Sequence, residues 1–361
     1  MKNEFIIKDN ILTSYKGTDS VVYIPNTVNV IASYAFSLNV YATKVVIPDS
    51  VTIIEENAFR NSPRINEIIL GNCVNKIGDY AFKSTSIKTI TIPQSVKHIG
   101  ENIFEECHHL LEITNNSSIN DNDLLLSIGE KIPSKLKIIH EGESKLKKEG
   151  NFLLLNDDIL IDCYNIKKSL NIPLGIKEIY HYAINSNSLK EIIFPSSLRH
   201  LYPHSVHHAN EVKELIFNKG LLDIDNYAVD TLYKVEKIYI PASVRKIGFR
   251  AFSFCPNLQS IEVDKDNKYY SSKDGILYSK DFKELIYYPP KNKLSSFTID
   301  ESITTIDYFA LEHCPLKEIS YIDNQHNLRK LINYHLESNM HGKIKKIKCT
   351  DGDLLFIKRE D

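Results

Sequence analysis

Apolar and polar positions along the chain alternate in short runs that recur every 22 or 23 residues. In Ile238-Tyr239-Ile240-Pro241 the alternation reads as a strand with Ile238 and Ile240 facing inward. Pro241 ends it, because proline cannot donate the next ladder bond. Ala242-Ser243 turns the chain, and Val244 and Ile247 return as inward residues on an opposite wall. Gly248 is expected to let the backbone bend. Ala251-Phe252 is expected to form a short helical or 3₁₀ corner that drops an aromatic ring into the core, and Leu258 closes the unit.

Indexed on the residue before the proline position, the copies fall at Ile24, Ile47, Leu70 and Ile92, then at Ile172, Phe194, Phe217, Ile240 and Val263, with a last one at Ile299. Periodicity on this scale is the signature of a stacked array, in which each unit buries its apolar edge on the next. The expected fold is an α/β repeat solenoid, a right-handed coil with a continuous parallel sheet on one face, hairpin inserts and terminal caps. Residues 1–23 read as a hairpin cap around Asp9-Asn10, and 24–113 as a first series of repeats. Residues 114–171 read as an irregular break. Within it, Asn115 to Ser118 and Asn120 to Asp123 are polar turn formers, a degenerate copy spans Ile132 to Ile139, and a second hairpin begins at Phe152. A second series covers 172–320 with a hairpin insert over 264–290. Residues 321–361 read as a helix (Leu328, Leu331, Ile332, His335, Leu336) followed by a hairpin at Asp351-Gly352.

The pattern Ile-x-Ile-Pro-x-x-Val-x-x-Ile-Gly-x-x-Ala-Phe-x-x-Cys-x-x-Leu resembles the BspA-like, or Treponema pallidum type, leucine-rich repeat proteins. The resemblance covers most of residues 20–320, and the Asp274-Gly275-Ile276-Leu277-Tyr278 insert is also similar to one that such proteins carry. It implies a non-catalytic scaffold for adhesion or protein binding at a bacterial surface. The copies at 172, 194 and 217 depart from it, with Ala183-Ile184, Ser205-Val206 and Ala228-Val229 in place of the Ala-Phe-x-x-Cys corner.

A net charge of −2 leaves no electrostatic footprint for nucleic acid, and no apolar run reaches the roughly 18 residues of a membrane span. The first residues do not read as a signal peptide. The expected location is cytoplasmic if the chain is complete, and the surface if a signal was trimmed. Cys107, Cys255 and Cys314 occupy one repeat position, where a buried small apolar role is expected rather than a disulfide or zinc site. No phosphate loop, His-Glu-x-x-His or Gly-x-Ser-x-Gly motif is present, so no catalytic residue, metal ligand or cofactor is assigned. His200, His204, His207 and His208, with His181 one coil earlier, read as solvated residues of a convex corner. The alternative for them is a metal-binding, pH-sensing or hydrolytic cluster.

Strand alternation also fixes which residues face away from the core. The position before each Ile-Pro carries Val46, Ile69, Thr91, Asn171, Ile193, Ile216 and Tyr239, and two residues earlier come Lys44, Glu67, Thr89, Ser169, Glu191, Glu214 and Lys237. Ile193, Ile216 and Tyr239 are consecutive and apolar, and ordinary β-propensity also accounts for such residues. With Glu191, Glu214 and Lys237 at the rim they form the candidate contact surface for a protein, with a glycan as the alternative ligand. The chain is expected to be a monomer, with a structural spacer as the remaining reading.

Overall fold

The computed structural model describes residues 4–129, 136–140 and 143–294, and thereafter 296–299, 302–307, 309–311, 313–314, 316, 318–321, 346–349 and 354–357. The chain divides into two compact units. The first is Met1–Glu149 with Leu153–Asn156, and the second is Gly150–Phe152 with Asp157–Asp361.

In the first unit, Val21–Tyr23, Lys44–Val46 and Glu67–Ile69 form one parallel ladder, and Thr89–Ile92, Glu112–Asn115 and Lys137–His140 form the next. The opposite wall is a second parallel ladder of Val30–Ile31, Ile53–Ile54, Lys76–Ile77 and His98–Ile99. Phe5–Lys8 and Ile11–Tyr15 pair antiparallel, turning through Asp9 and Asn10 at φ 50° and 62°, and Ile11–Tyr15 then pairs parallel with Val30–Ile31. In the parallel ladders between Val21 and Asn115 each register partner lies 22 or 23 residues away, so the spacing in the sequence dictates the stacking.

The corners differ from the expected helical turn. Tyr34, Asn57, Tyr80 and Asn102 all take left-handed backbone (φ 56–62°), as do Leu38, Asn61, Ser84 and Glu106 four residues on. Amides of these residues look to the next coil rather than along the chain: Asn57 N donates to Asp79 O at 2.9 Å and Leu38 N to Arg60 O at 3.1 Å. A helix would close those bonds internally; here the same donors tie coil to coil. The corner aromatics stack in a column, Tyr15–Phe36–Phe59–Phe82–Phe104, with ring centroids 4.8–5.7 Å apart. Cys107, Cys255 and Cys314 are buried, and burial pushes the Cys255 thiol up to about 12.

Gly78 and Gly248 serve close approach rather than bending. A Cβ on Gly78 would lie 2.5 Å from Glu56 N, and one on Gly248 2.4 Å from Asn226 N, so the preceding coil leaves no room for a side chain. Between the described coils of the first unit, Asn120 to Asp123 are not loop. They open the α-helix Asp121–Ile128, in which Asn120 Oδ1 accepts from Asp123 N at 2.9 Å as an N-cap. Of the degenerate copy over 132–139, residues 132–135 lie outside the described residues.

In the second unit one wall is a parallel ladder of Ile159–Cys163, Glu178–Ile179, His200–Leu201, Asp223–Ile224 and Lys246–Ile247. The facing wall is not one continuous sheet. Ser169–Asn171 pairs with Glu191–Ile193, while Glu214–Ile216, Lys237–Ile240 and Ser260–Val263 form a separate ladder. At the break Asn218 replaces the usual proline, and its Nδ2 donates to Phe194 O.

Where the Ala-Phe corner is missing, Ile184–Asn185, Val206–His207 and Val229–Asp230 form a third parallel ladder. β-Branched residues favour extended backbone, and the aromatic volume moves elsewhere. Phe194 and Phe217 replace the inward Ile and pack 5.1 Å apart in the core. The insert is an antiparallel pair, Tyr270–Lys273 with Ile276–Ser279, whose turn uses left-handed Asp274 and Gly275. Lys346–Cys349 and Leu354–Ile357 also pair antiparallel. The helix expected over 328–336, Gly342 and the Asp351-Gly352 turn lie outside the described residues.

Candidate functional site

The outward column divides at the sheet break. Ile216 and Tyr239 are register partners in one ladder, as are Glu214 and Lys237. Glu191 and Ile193 belong to the neighbouring two-stranded sheet, opposite Ser169 and Asn171. Alternation places Ile192, Leu215 and Ile238 in the core and leaves Ile193 at 45% and Ile216 at 57% exposure. Glu191, Glu214 and Lys237 are exposed as well. Tyr239 is only half-exposed, because its hydroxyl turns aside to donate to Asp264 Oδ2 at 3.0 Å. Ser169 Oγ donates to Glu191 Oε2 at 3.0 Å, which orients one rim carboxylate.

The column also includes a residue that the sequence reading left out. Tyr23 precedes Ile24 and stands at 68% exposure, in register with Val46, which in turn pairs with Ile69 at 43%. The signal was available, since Tyr23 occupies the same position before Ile-Pro. The first unit therefore carries its own aromatic and aliphatic stripe, beside the ion pair Lys44 Nζ–Glu67 Oε1 at 2.8 Å.

The histidines are not simply solvated. His204 Nδ1 lies 3.0 Å from Asp230 Oδ2, and His207 Nδ1 lies 2.6 Å from Asp230 Oδ1. Burial pushes the Asp230 carboxyl up, but its bonds to the two imidazoles outweigh that and hold it below the usual carboxylate range. His200 belongs to a different wall, where its Nε2 meets Asp225 Oδ2 at 2.8 Å, a carboxylate also bonded by Lys246 Nζ at 3.1 Å. His181 is packed among Tyr180, Tyr202 and other groups, and burial lowers it to about 4. His208 is lowered by burial and by the neighbouring His207.

A cleft of about 510 Å³ lies elsewhere in the second unit, lined by Phe249, Arg250, Phe254, Tyr287 and Phe309 among others. The Arg250 guanidinium sits 4.1 Å from the centroid of the Phe309 ring. No helix among the described residues is long and apolar enough to cross a membrane.

Among solved structures the chain is similar to the pneumococcal vaccine antigen PcpA, at 19% identity over 95% of this chain and 96% of that one, with a TM-score of 0.48. A leucine rich cell surface protein of Faecalibacterium prausnitzii A2-165 is 22% identical over 73% of this chain and 94% of its own, with a TM-score of 0.36. The T. pallidum leucine rich repeat protein is 22% identical over 53% of this chain and 77% of its own, with a TM-score of 0.30. No curated protein matches the chain. The sequence profile of the BspA type leucine rich repeat region matches six copies across residues 7–123, 155–274 and 287–351. With most of its length covered by that repeat, the chain belongs to the BspA-type leucine-rich repeat family.

Proposed function

We propose that the chain is a non-catalytic binding scaffold that holds a protein partner against the outward faces of Glu191–Ile193, Glu214–Ile216 and Lys237–Ile240. The observation that carries this reading is the exposure of Ile193 and Ile216, at 45% and 57%, on strands whose inward residues are buried. Apolar side chains held rigidly on a ladder offer contact area without an ordering cost on binding. Glu191, Glu214 and Lys237 supply a charged rim that selects among partners and sets register.

The test compares three forms of the full chain against a partner captured on wild type and then purified. The double variant Ile193→Asp with Ile216→Asp should weaken that partner at least about tenfold, because desolvated charges replace apolar anchors. Tyr23→Ser with Ile69→Asp, on the equivalent positions of the first unit, should leave affinity within about twofold. The reverse result moves the contact to the first unit and sinks the assignment.

A further inference from the structure

Asp230 is the one carboxylate among the buried described residues, with 5% of its side chain exposed. A buried charge is costly unless partners converge on it, and here two imidazoles do. Their placement follows from the repeat. Val206–His207 pairs in register with Val229–Asp230, so His207 and Asp230 are ladder neighbours on adjacent coils. His204 reaches the same carboxylate from the left-handed corner three residues earlier, at φ 57°. In the first unit the equivalent repeat position carries an ordinary ion pair, Lys83 Nζ–Glu105 Oε2 at 2.5 Å. Replacing lysine by histidine exchanges a point charge for a ligand.

We infer that His204 Nδ1, His207 Nδ1 and the Asp230 carboxylate form a site for a divalent transition metal of the zinc class. One ligand atom from each of the three lies within 4.8 Å of the others. Tetrahedral coordination with bonds of about 2.0–2.1 Å spaces ligand atoms about 3.3 Å apart, so the contacts of 3.0 and 2.6 Å, which His204 and His207 make to different oxygens of Asp230, need to open by about 0.3 and 0.7 Å. The rings are already oriented. Tyr182 stacks on His204 at 5.0 Å and 3°, Tyr227 stacks on it at 5.6 Å and 12°, and Tyr182 meets His207 edge-on at 5.2 Å. Thr231 Oγ1, 3.5 Å from Asp230 Oδ2, completes the surroundings of the carboxylate.

Two imidazoles and one carboxylate favour zinc, nickel or copper over calcium or magnesium, which prefer all-oxygen sites. Coordination at Nδ1 requires that nitrogen to carry no proton, which leaves Nε2 of each ring to hold the ring's N–H. Three protein ligands leave a fourth position open, and the His204 side chain, 28% exposed, gives ions access from solvent. The metal would clasp two coils at the corner that lacks the Phe wedge.

The experiment titrates the full chain with Zn²⁺ against a chromophoric chelator, in a Cys73→Ser background because Cys73 is an exposed thiol. One equivalent should bind. His207→Gln and Asp230→Asn should each weaken it at least tenfold, since losing even an outer-shell partner costs about 10–100-fold. His200→Gln, on the other wall, should bind like the parent. Independently of folding in the variants, ¹⁵N spectra of the parent should show zinc shifting the ring nitrogens of His204 and His207. Absence of a stoichiometric site, equal binding by the ligand variants, or unshifted rings would each overturn the assignment.

Discussion

The corner column of the first unit makes the most exacting test of how the coils hold together. Phe36 and Phe59 are fully buried and their rings stack at 4.8 Å and 21°. Phe82 packs at a tilt against Phe59, at 5.7 Å and 32°, but is two coils from Phe36. Truncating a buried Phe to Ala typically costs about 3–5 kcal/mol, so Leu is the gentler probe. Beyond burial, an aromatic pair contributes about 0.5–1.5 kcal/mol. A cycle of Phe36→Leu, Phe59→Leu and the double variant should therefore return a coupling of that size. The same cycle on Phe36 and Phe82 should return a coupling within about 0.5 kcal/mol of zero, as for sites without shared contact. Urea unfolding followed by circular dichroism supplies the free energies, and an unchanged m-value confirms that the array still unfolds as one piece. Equal couplings in the two cycles would refute a column whose stability is carried by nearest-neighbour rings.

Gly78→Ala should destabilise by about 1–3 kcal/mol, the usual cost of overpacking, because its Cβ would meet backbone of the preceding coil at 2.5 Å; thermal denaturation reads this directly, and a neutral substitution would contradict the close approach. Asp162 is pushed up to about 6 by burial, from 3.8. The folded state then binds more protons than the unfolded chain between those values, so this residue's contribution favours folding as pH falls through 6. Asp162→Asn should stabilise the protein at pH 7, with a gain that vanishes near pH 4 in paired melting curves. His181 works in the opposite sense: lowered to about 4, against an unfolded value of about 6.5, it makes the chain lose stability as pH falls from 6.5 towards 4. His181→Phe should flatten the stability–pH curve in that window.

Much of this was legible because register in a stacked array is arithmetic. Val45 pairs with Val22 and Ile68 because each lies 23 residues away, and alternation alone told inward Ile238 from outward Tyr239. What escaped the sequence were features set by neighbours in space. The spacing read at Gly248 suggested a bend, whereas the reason is the backbone of Asn226 beneath it. Phe252 suggested a helical corner, but bonds to adjacent coils fix left-handed turns instead. Asn120 to Asp123 were too rich in turn formers to declare a helix cap. The histidines cluster along the chain, whereas Asp230, the carboxylate they meet, lies a full repeat further on. Adding 23 to 207 was the signal, and it becomes compelling only once the missing Phe is known to leave an extended strand there. Tyr23 stands in the same column, in register with Val46.

Hydrogen exchange on a purified complex shows whether a partner sits on the outward sheet face. With the partner bound, amide protection should rise in the peptides spanning Glu191–Ile193, Glu214–Ile216 and Lys237–Ile240, and the cleft around Phe249 and Phe254 should exchange as in the free protein. Protection confined to that cleft, or to the stripe of Tyr23, Val46 and Ile69, would place the partner elsewhere and rule out binding on this face.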